Sequence, residues 1–271
     1  MPSHGRGIRV AVTCAVVAIV AVGCAVPSVG PLPGDDCISG AAELAPDLTL
    51  GPGIASHFDY TIVESDIREA RTKFGGQPVW LEQPQWPLDS AGEPMQFYGQ
   101  VALDAAAPEL AGSMAYLFVG GTSRSDGEPW AAYSGDNAVV IQPDGVLTTP
   151  IVDSATGPGV TVSAWEERDG AQVEVTGAAV DVVETPVEEP AYRGAGDGHW
   201  TEEEWRAVVP DKTGGVPAWV QGAEFPDCGR MATMIVQYSG WYVDPLPADA
   251  GVLFAFVDPV AREGRAVIQS H

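Results

Sequence analysis

Short runs of apolar residues, many of them β-branched or aromatic, recur along the chain and predict strands. They lie at 97–103, 114–119, 138–141 and 251–257, and runs of this length between turn residues are typical of buried strands. Residues 160–165 alternate between apolar and polar, and Asp169-Gly170 precedes a second alternating stretch at 172–175. This arrangement predicts a β-hairpin, because Asp-Gly favours the tight turn that joins two paired strands.

Helical signals are few. The best covers 201–207, where Thr201 and Glu204 have the spacing of a capping box. A weaker helix is predicted over 65–71, and the acidic, proline-broken stretch 184–190 is interpreted as a loop. The pattern therefore predicts a mainly β fold with minor helix, that is, a β-rich α+β class.

The chain has two lysines, and each begins the same phrase. Lys73 opens Lys-Phe-Gly-Gly-Gln-Pro-Val-Trp, and Lys212 opens Lys-Thr-Gly-Gly-Val-Pro-Ala-Trp. Composition alone does not place scarce residues in this way, so the sequence predicts an internal duplication: two similar halves related by a pseudo-twofold axis and sharing one core. We expect repeat 1 at about 60–120, repeat 2 at about 200–258 and a β-rich insertion at 121–199, all within a single domain at 51–271.

The N-terminus has the pattern of an export signal. Arg6 and Arg9 precede an apolar run over 10–22, which is too short for a mature membrane span, and small residues lead to Cys24. Ala21-Val22-Gly23-Cys24 resembles the bacterial lipobox, whose cysteine becomes the acylated N-terminus. We therefore expect a signal peptide at 1–23, lipidation of Cys24 and a Pro/Gly-rich tether at 24–50; ordinary secretion with nearby cleavage is the alternative.

Two further cysteines, Cys37 and Cys228, remain after the signal and the acylated residue are set aside. Free thiols are disfavoured in an oxidising compartment, so a Cys37–Cys228 disulfide is predicted. Two unrelated buried thiols are the alternative. The expected location is the extracytoplasmic face of the cell membrane, with the lipid as the attachment.

Strong acidity limits the possible partners. The formal net charge is −24, and loss of the two signal arginines would leave −26. Nucleic-acid binding depends on Lys and Arg neutralising phosphates, so no nucleic-acid partner is expected. The chain also has no polybasic patch for anionic headgroups, which leaves the lipid anchor as the expected membrane contact.

Each copy of the repeated phrase is followed by an aromatic-Pro pair, and this combination suggests a family. Together with Met95-Gln96-Phe97-Tyr98-Gly99-Gln100-Val101 and, in the second copy, Pro226-Asp227-Cys228-Gly229 and then Met234-Ile235-Val236-Gln237, it resembles the YwqG-like family of bacterial proteins. The resemblance implies a β-rich duplicated fold and no particular activity. Members often have Cys-x-x-Cys-Gly in the second copy; here the first of those positions is Phe225, which excludes a two-cysteine metal site. Export and lipidation also depart from the family pattern.

The Gly-Gly pairs, Gly75-Gly76 and Gly214-Gly215, allow two interpretations. In the architectural one they form turns with positive φ, Trp80 and Trp219 anchor the core, and each lysine pairs with a carboxylate. In the functional one, Lys73 and Lys212 converge near the pseudo-twofold axis and, with the two tryptophans, make a positive pocket for an anionic ligand.

Support for catalysis is thin in the sequence. No catalytic constellation or phosphate loop can be identified, Asp197-x-His199 is too short for a metal site, and no cofactor or metal is expected. Glu202, Glu203 and Glu204 could supply the two carboxylates that acid–base work on envelope polymers requires, or could complement the helix dipole. The leading hypothesis is an envelope-facing lipoprotein domain that binds an unknown ligand or protein; an envelope-polymer hydrolase using carboxylates near 197–204 and a purely structural protein are the alternatives.

Overall fold

The computed structural model describes residues 43–45, 48–120, 130–240, 243–244 and 251–270. All of them lie in the unit Pro33–His271, and the unit Met1–Leu32 lies outside the described residues. The strands are β1 (Gly53–Val63), β2 (Lys73–Gly75), β3 (Trp86–Pro87), β4 (Gln96–Ala102), β5 (Met114–Val119), β6 (Asn137–Gln142), β7 (Ile151–Val152), β8 (Thr161–Arg168), β9 (Ala171–Gly177), β10 (Ala179–Glu189), β11 (Lys212–Gly214), β12 (Thr233–Tyr238), β13 (Val243–Asp244), β14 (Gly251–Asp258) and β15 (Glu263–Ser270).

Helical elements are short. Helix α1 spans Glu202–Val208, and 3₁₀ turns lie at Pro108–Leu110 and Asp197–His199. A single turn, α2, spans Pro226–Gly229, and Asp227 and Cys228 interrupt it with φ angles of 51° and 55°. Within the described residues, no helix has the length and apolar content needed to span a bilayer.

Ten strands form a closed barrel. Their order is β1-β10-β2-β4-β5-β6-β15-β14-β12-β11, and β11 closes the ring by pairing with β1. Every pairing in the barrel is antiparallel, and the longest is that of β1 with β10, from Gly53↔Glu189 to Val63↔Ala179. Closure satisfies the backbone groups that an open sheet would leave at its edges. The predicted mainly β class is therefore confirmed.

The strands predicted from apolar runs are buried on both faces. In β5, Ala115, Leu117 and Val119 belong to the cluster that fills the barrel interior. Side chains from every barrel strand except β11 belong to this cluster or pack against it. Met114, Tyr116 and Phe118 belong to a second cluster on the outer face, together with Trp86 and Phe97. Strand β14 divides in the same way between the interior and a third cluster. Successive side chains point to opposite faces, so burial of both faces produces continuous apolar runs.

The predicted hairpin is confirmed. Strands β8 and β9 pair from Val162↔Gly177 to Arg168↔Ala171, so Asp169 and Gly170 are the two turn residues. Their φ angles of 53° and 79° are the positive values that this tight turn requires. The predicted capping box is confirmed too, since the Thr201 side chain accepts from the Glu204 N–H and Glu204 accepts from the Thr201 N–H.

Three expectations differ from the structure. The helix over 65–71 was wrong, because this stretch has no helical turn and the Ile67 carbonyl accepts from the Lys73 ammonium instead. The loop over 184–190 was wrong, because β10 continues to Glu189. Proline is tolerated there since, beyond Asp181, β10 pairs only with β1. The segment 121–199, expected to be an insertion, supplies two barrel strands, β6 and β10.

The end of the expected tether is attached to the domain. The Ala45 N–H donates to the Gly229 carbonyl at 3.0 Å, and the Tyr192 N–H donates to the Leu50 carbonyl at 2.9 Å. Ala45 is buried, and Leu44 and Leu50 pack against buried residues beside Trp219. Within the range 24–50, the described residues therefore belong to the folded domain.

Candidate functional site

Both Gly-Gly pairs form left-handed turns. Gly75 and Gly76 have φ angles of 69° and 68°, and Gly214 and Gly215 have 67° and 73°. A Cβ on Gly76 would lie 2.0 Å from Asp66 Oδ1, and one on Gly215 would lie 2.1 Å from Glu189 Oε2. Only glycine allows both the backbone angle and the close approach of the carboxylate. The architectural interpretation of these turns agrees with this geometry.

Lys73 lies at the start of β2 and is fully buried. Its ammonium donates to Asp66 Oδ1 at 2.8 Å, to the Ile67 carbonyl at 2.5 Å and to the Gln77 carbonyl at 2.8 Å. These three acceptors match the three donors of an ammonium group. Burial lowers the pKa of Lys73, although the hydrogen bond and charge of Asp66 oppose that shift.

Lys212 has the same arrangement at the start of β11. Its ammonium donates to Glu189 Oε1 at 2.5 Å and to the carbonyls of Val208 and Val216 at 2.6 and 2.7 Å. Both side chains of the Lys212–Glu189 pair are 0% exposed. Burial lowers the pKa of Lys212 to about 8, because desolvation of the ammonium outweighs its attraction to Glu189.

The structure does not bring the two lysines to a shared pocket. Lys73 is bonded to Asp66 and Lys212 to Glu189, and both ammonium groups are enclosed by acceptors of the protein itself. No donor is left on either for an anionic ligand. The positive pocket suggested by the sequence is therefore replaced by two separate internal ion pairs.

Buried amides fasten the rest of each phrase. Gln100 Oε1 accepts from the Val79 N–H, and Gln237 Oε1 accepts from the Ala218 N–H. Directly after the first phrase, the N–H groups of Leu81 and Glu82 both donate to Gln142 Oε1. After the second phrase, those of Val220 and Gln221 donate to Gln269 Oε1 in the same way. These glutamines hold the phrases against the barrel.

The two tryptophans occupy matching outer faces. Trp80 is stacked on Phe118 at 6.0 Å and tilted against Tyr116 at 4.6 Å. Trp219 is stacked on Phe256 at 5.6 Å and tilted against Phe254 at 4.5 Å. Trp219 is fully buried, whereas Trp80 is half-buried and donates to the Ala155 carbonyl. Both are packing residues and line no described cavity.

Of the carboxylates proposed near 197–204, Glu202 and Glu204 do not face each other across a cleft. Glu202 pairs with Arg206 on the exposed face of α1. Glu204 bonds to Thr201 and Arg193, and the hydrogen bond from the Thr201 N–H is the main cause that lowers its pKa. A general acid needs a raised pKa instead. These groups stabilise the start of a helix, and nothing in their geometry supports the hydrolase alternative.

A cavity of about 650 Å³ lies elsewhere, between β1, β8, the segment 209–211 and the end of β12. Its lining is mostly apolar, with few polar groups. The described lining residues are Phe58, Tyr60, Ala164, Trp165, Val209, Pro210, Asp211, Ala218, Val220, Gln237, Ser239 and Val252. Trp165, from the predicted hairpin, is 68% exposed.

Asp211 is the single carboxylate among the described lining residues. Its Oδ2 accepts from the Tyr60 hydroxyl at 2.5 Å and from Ser239 Oγ at 2.9 Å, and its Oδ1 accepts from the Ser239 N–H at 2.7 Å. Loss of surrounding water raises the pKa of Asp211, and the three hydrogen bonds oppose the shift without cancelling it. A carboxyl group with a raised pKa in a cavity is typical of functional sites.

The first phrase has a different residue at the matching place. Thr72 precedes Lys73 as Asp211 precedes Lys212, and Thr72 Oγ1 accepts from the Ala102 N–H at 3.2 Å. A threonine hydroxyl therefore suffices for the structural contact. Asp211 is not among the residues that the sequence patterns indicate; its one signal is the difference between Asp211 and Thr72 before the two lysines.

The cysteine predictions fall partly on undescribed residues. Cys24 and Cys37 lie outside the described residues. Cys228 is a disulfide cysteine, but its pairing with Cys37 stays a prediction. No group of three or more His, Cys, Asp or Glu residues that could hold a metal ion occurs in the described part of the chain.

Comparison with known families gives one similarity. Residues 72–188 match a family described as "Domain of unknown function (DUF1963)". The match begins immediately before the first phrase and ends within β10, so it includes Lys73 and Trp80 but neither the second phrase nor Asp211. No curated protein matches the chain. The chain is thus similar, over less than half of its length, to an uncharacterised domain family.

Proposed function

We propose that the protein binds a small molecule with an apolar body in the Asp211 cavity, and that it is a YwqG-like domain held at the extracytoplasmic face of the cell membrane. The cavity is the observation that supports binding. Small-molecule sites are typically concave, mostly apolar and between about 300 and 1,000 Å³, with a few polar groups that fix orientation. The cavity has this size and composition, with Asp211, Tyr60 and Ser239 as its polar groups.

The duplication is part of the proposal. Its support is the recurrence of one set of contacts: a buried lysine bonded to a carboxylate and two carbonyls, left-handed Gly-Gly, and a tryptophan on two aromatic rings. The barrel order agrees with it, since β10-β2-β4-β5-β6 has the same pairing pattern as β1-β11-β12-β14-β15. An experimental structure in which the segments 73–80 and 212–219 fail to superpose would contradict it.

Binding can be tested with three soluble aromatic probes of similar shape: neutral 4-tert-butylphenol, cationic 4-hydroxyphenyltrimethylammonium and anionic 4-tert-butylbenzoate. We expect at least one probe to bind the wild-type protein and to shift the Trp165 indole resonance in NMR spectra. Val209→Trp should abolish this binding, because a large side chain at this half-exposed position fills the cavity.

Val260→Trp is the matched control. Val260 is 93% exposed and does not line the cavity. This variant adds the same side chain and should bind the probes as the wild type does. Absence of binding by all three probes, or equal binding to wild type and Val209→Trp, would contradict the proposal.

Membrane attachment rests on the lipobox-like sequence that ends at Cys24. A thiol is needed there because a thiolate is the nucleophile that accepts the lipid. Cys24→Ser should release the protein into the medium or leave it unprocessed, as measured by fractionation and intact-mass analysis. Normal processing with unchanged membrane retention would contradict lipidation. The same mass analysis, with and without reductant, reports on the proposed Cys37–Cys228 disulfide.

A further inference from the structure

We propose that the ligand of the Asp211 cavity is a cation, an amine or quaternary ammonium group attached to an apolar body. The cation would lie between the Asp211 carboxylate and the aromatic rings of the lining, with Trp165 at the exposed side. This inference rests on the proposed function, because it names the chemical class of the ligand that the same cavity holds.

The carboxylate has room for one more donor. An ionised carboxylate accepts about four hydrogen bonds. Among the described residues three donors reach Asp211, two on Oδ2 and one on Oδ1. The unused acceptor position is therefore on Oδ1, where a ligand N–H could donate or a quaternary ammonium group could make a close ionic contact.

The contact to the backbone N–H does not by itself require a charge at this position. In the first phrase the uncharged Thr72 makes the matching contact to a backbone N–H, and it does so without a cavity-lining carboxylate. At Asp211 burial raises the pKa, so the ionised carboxylate is disfavoured there when no ligand is bound. A bound cation would compensate for that cost, whereas a neutral ligand would not.

The aromatic side chains fit the same ligand. Phe58, Tyr60 and Trp165 all line the cavity, and 68% of Trp165 is open to solvent. Cations are attracted to the faces of aromatic rings, most strongly to tryptophan. Three rings that line the same cavity as one carboxylate therefore favour a cationic group over a neutral one.

The surrounding charge disfavours an anionic ligand. None of the described lining residues is Lys, Arg or His. The formal net charge of the chain is −24, so its field attracts cations and repels anions. Titratable groups on neighbouring strands that do not line the cavity include His57 of β1, bonded to the Ala207 carbonyl, and Glu184 of β10, bonded to Thr213 Oγ1. Lys212, which follows Asp211, donates to Glu189 and does not line the cavity either.

The test compares 4-hydroxyphenyltrimethylammonium with 4-tert-butylphenol, which differ in that a quaternary nitrogen replaces a carbon. Calorimetric or NMR titration of the wild-type protein should show tighter binding of the cation by about tenfold or more. Asp211→Asn should clearly reduce that preference, and the aromatic rings account for what remains. Trp165→Ala should lower the affinity for the cation. Trp130→Ala removes an exposed tryptophan outside the cavity and should leave that affinity unchanged.

A pH titration of the wild type tests the same point without a variant, in case Asp211→Asn fails to fold. The trimethylammonium charge is permanent, so acidification protonates only the protein. Affinity for the cation should fall as the pH decreases through the raised pKa of Asp211, while affinity for 4-tert-butylphenol stays constant. Equal affinities for the two probes, or a cation affinity independent of pH, would overturn the inference. Binding of the neutral probe that Val209→Trp abolishes would still leave the proposed function standing.

Discussion

Replacing Lys212 with methionine is expected to destabilise the fold by about 3–5 kcal/mol. Methionine fills a similar volume but removes the ammonium from Glu189, whose side chain is 0% exposed, and leaves only the more distant His57 Nε2, 3.8 Å from Oε1, as a basic neighbour among the described residues. Glu189 would keep its contact with the Val216 N–H, which Oε2 accepts at 2.8 Å, but one such bond does not replace an ammonium group. The free energy of unfolding in urea, followed by circular dichroism, measures the loss.

Lys73→Met is the matched control that the chain itself offers. Lys73 is equally buried, but the side chain of its partner Asp66 is 30% exposed and can be hydrated when the ammonium is removed. The loss should therefore be clearly smaller than for Lys212→Met. Equal losses would contradict the view that the buried carboxylate determines the cost.

The pH dependence of the Lys212 effect has a definite sign. The pKa of Lys212 is about 8 in the folded protein and near its ordinary value of 10.5 in the unfolded chain. Between these values the unfolded chain binds the extra proton, so stability rises with pH. Relative to Lys212→Met, the wild type should gain stability from about pH 8 to 10.5 and show no such change below pH 8.

Trp219→Ala is expected to cost about 3–5 kcal/mol, the usual loss when a large buried aromatic side chain is truncated. Trp219 is fully buried among Phe225, Phe254 and Phe256, and the space it leaves is enclosed on all these sides. Trp80→Ala removes the same side chain from a half-buried position, so the space left by the ring would be open to solvent. The measurement is chemical unfolding followed by circular dichroism.

The difference between the two tryptophan variants is the informative quantity. A smaller loss for Trp80→Ala is expected, because part of its ring already contacts water and its neighbours can relax. A Trp80→Ala loss equal to that of Trp219→Ala would show that exposure does not distinguish the two faces.

Local features of the fold could be predicted from the sequence, and distant ones could not. Strand β5 agrees with the predicted 114–119 because burial of both faces makes every position apolar. The Asp169-Gly170 turn and the Thr201–Glu204 cap depend on residues a few positions apart. By contrast, β10 tolerates Pro186 because it pairs with β2 only as far as Asp181 and with β1 alone after that. This pairing depends on strands that are distant in sequence.

The cavity illustrates the limit most directly. Tyr60 and Asp211 are far apart in sequence, and they meet because β1 pairs with β11 and the Phe58 N–H donates to the Asp211 carbonyl. No local pattern contains that register. Of the two interpretations of the lysines, the geometry agrees with the architectural one, because each lysine pairs with a carboxylate inside the protein, and it does not support a shared ligand pocket.

The pairing of β1 with both β10 and β11 affects how the chain can fold. Strand β1 is among the first parts of the domain to leave the ribosome or a translocation pore, yet its partners follow only after residues 179–189 and 212–214. Contacts this distant in sequence slow folding, since a long loop must close first. Until then two unpaired strand edges are accessible to chaperones, proteases and other nascent chains. Moving the first strand to the C-terminal end by circular permutation would place it later in synthesis and shorten that period of exposure.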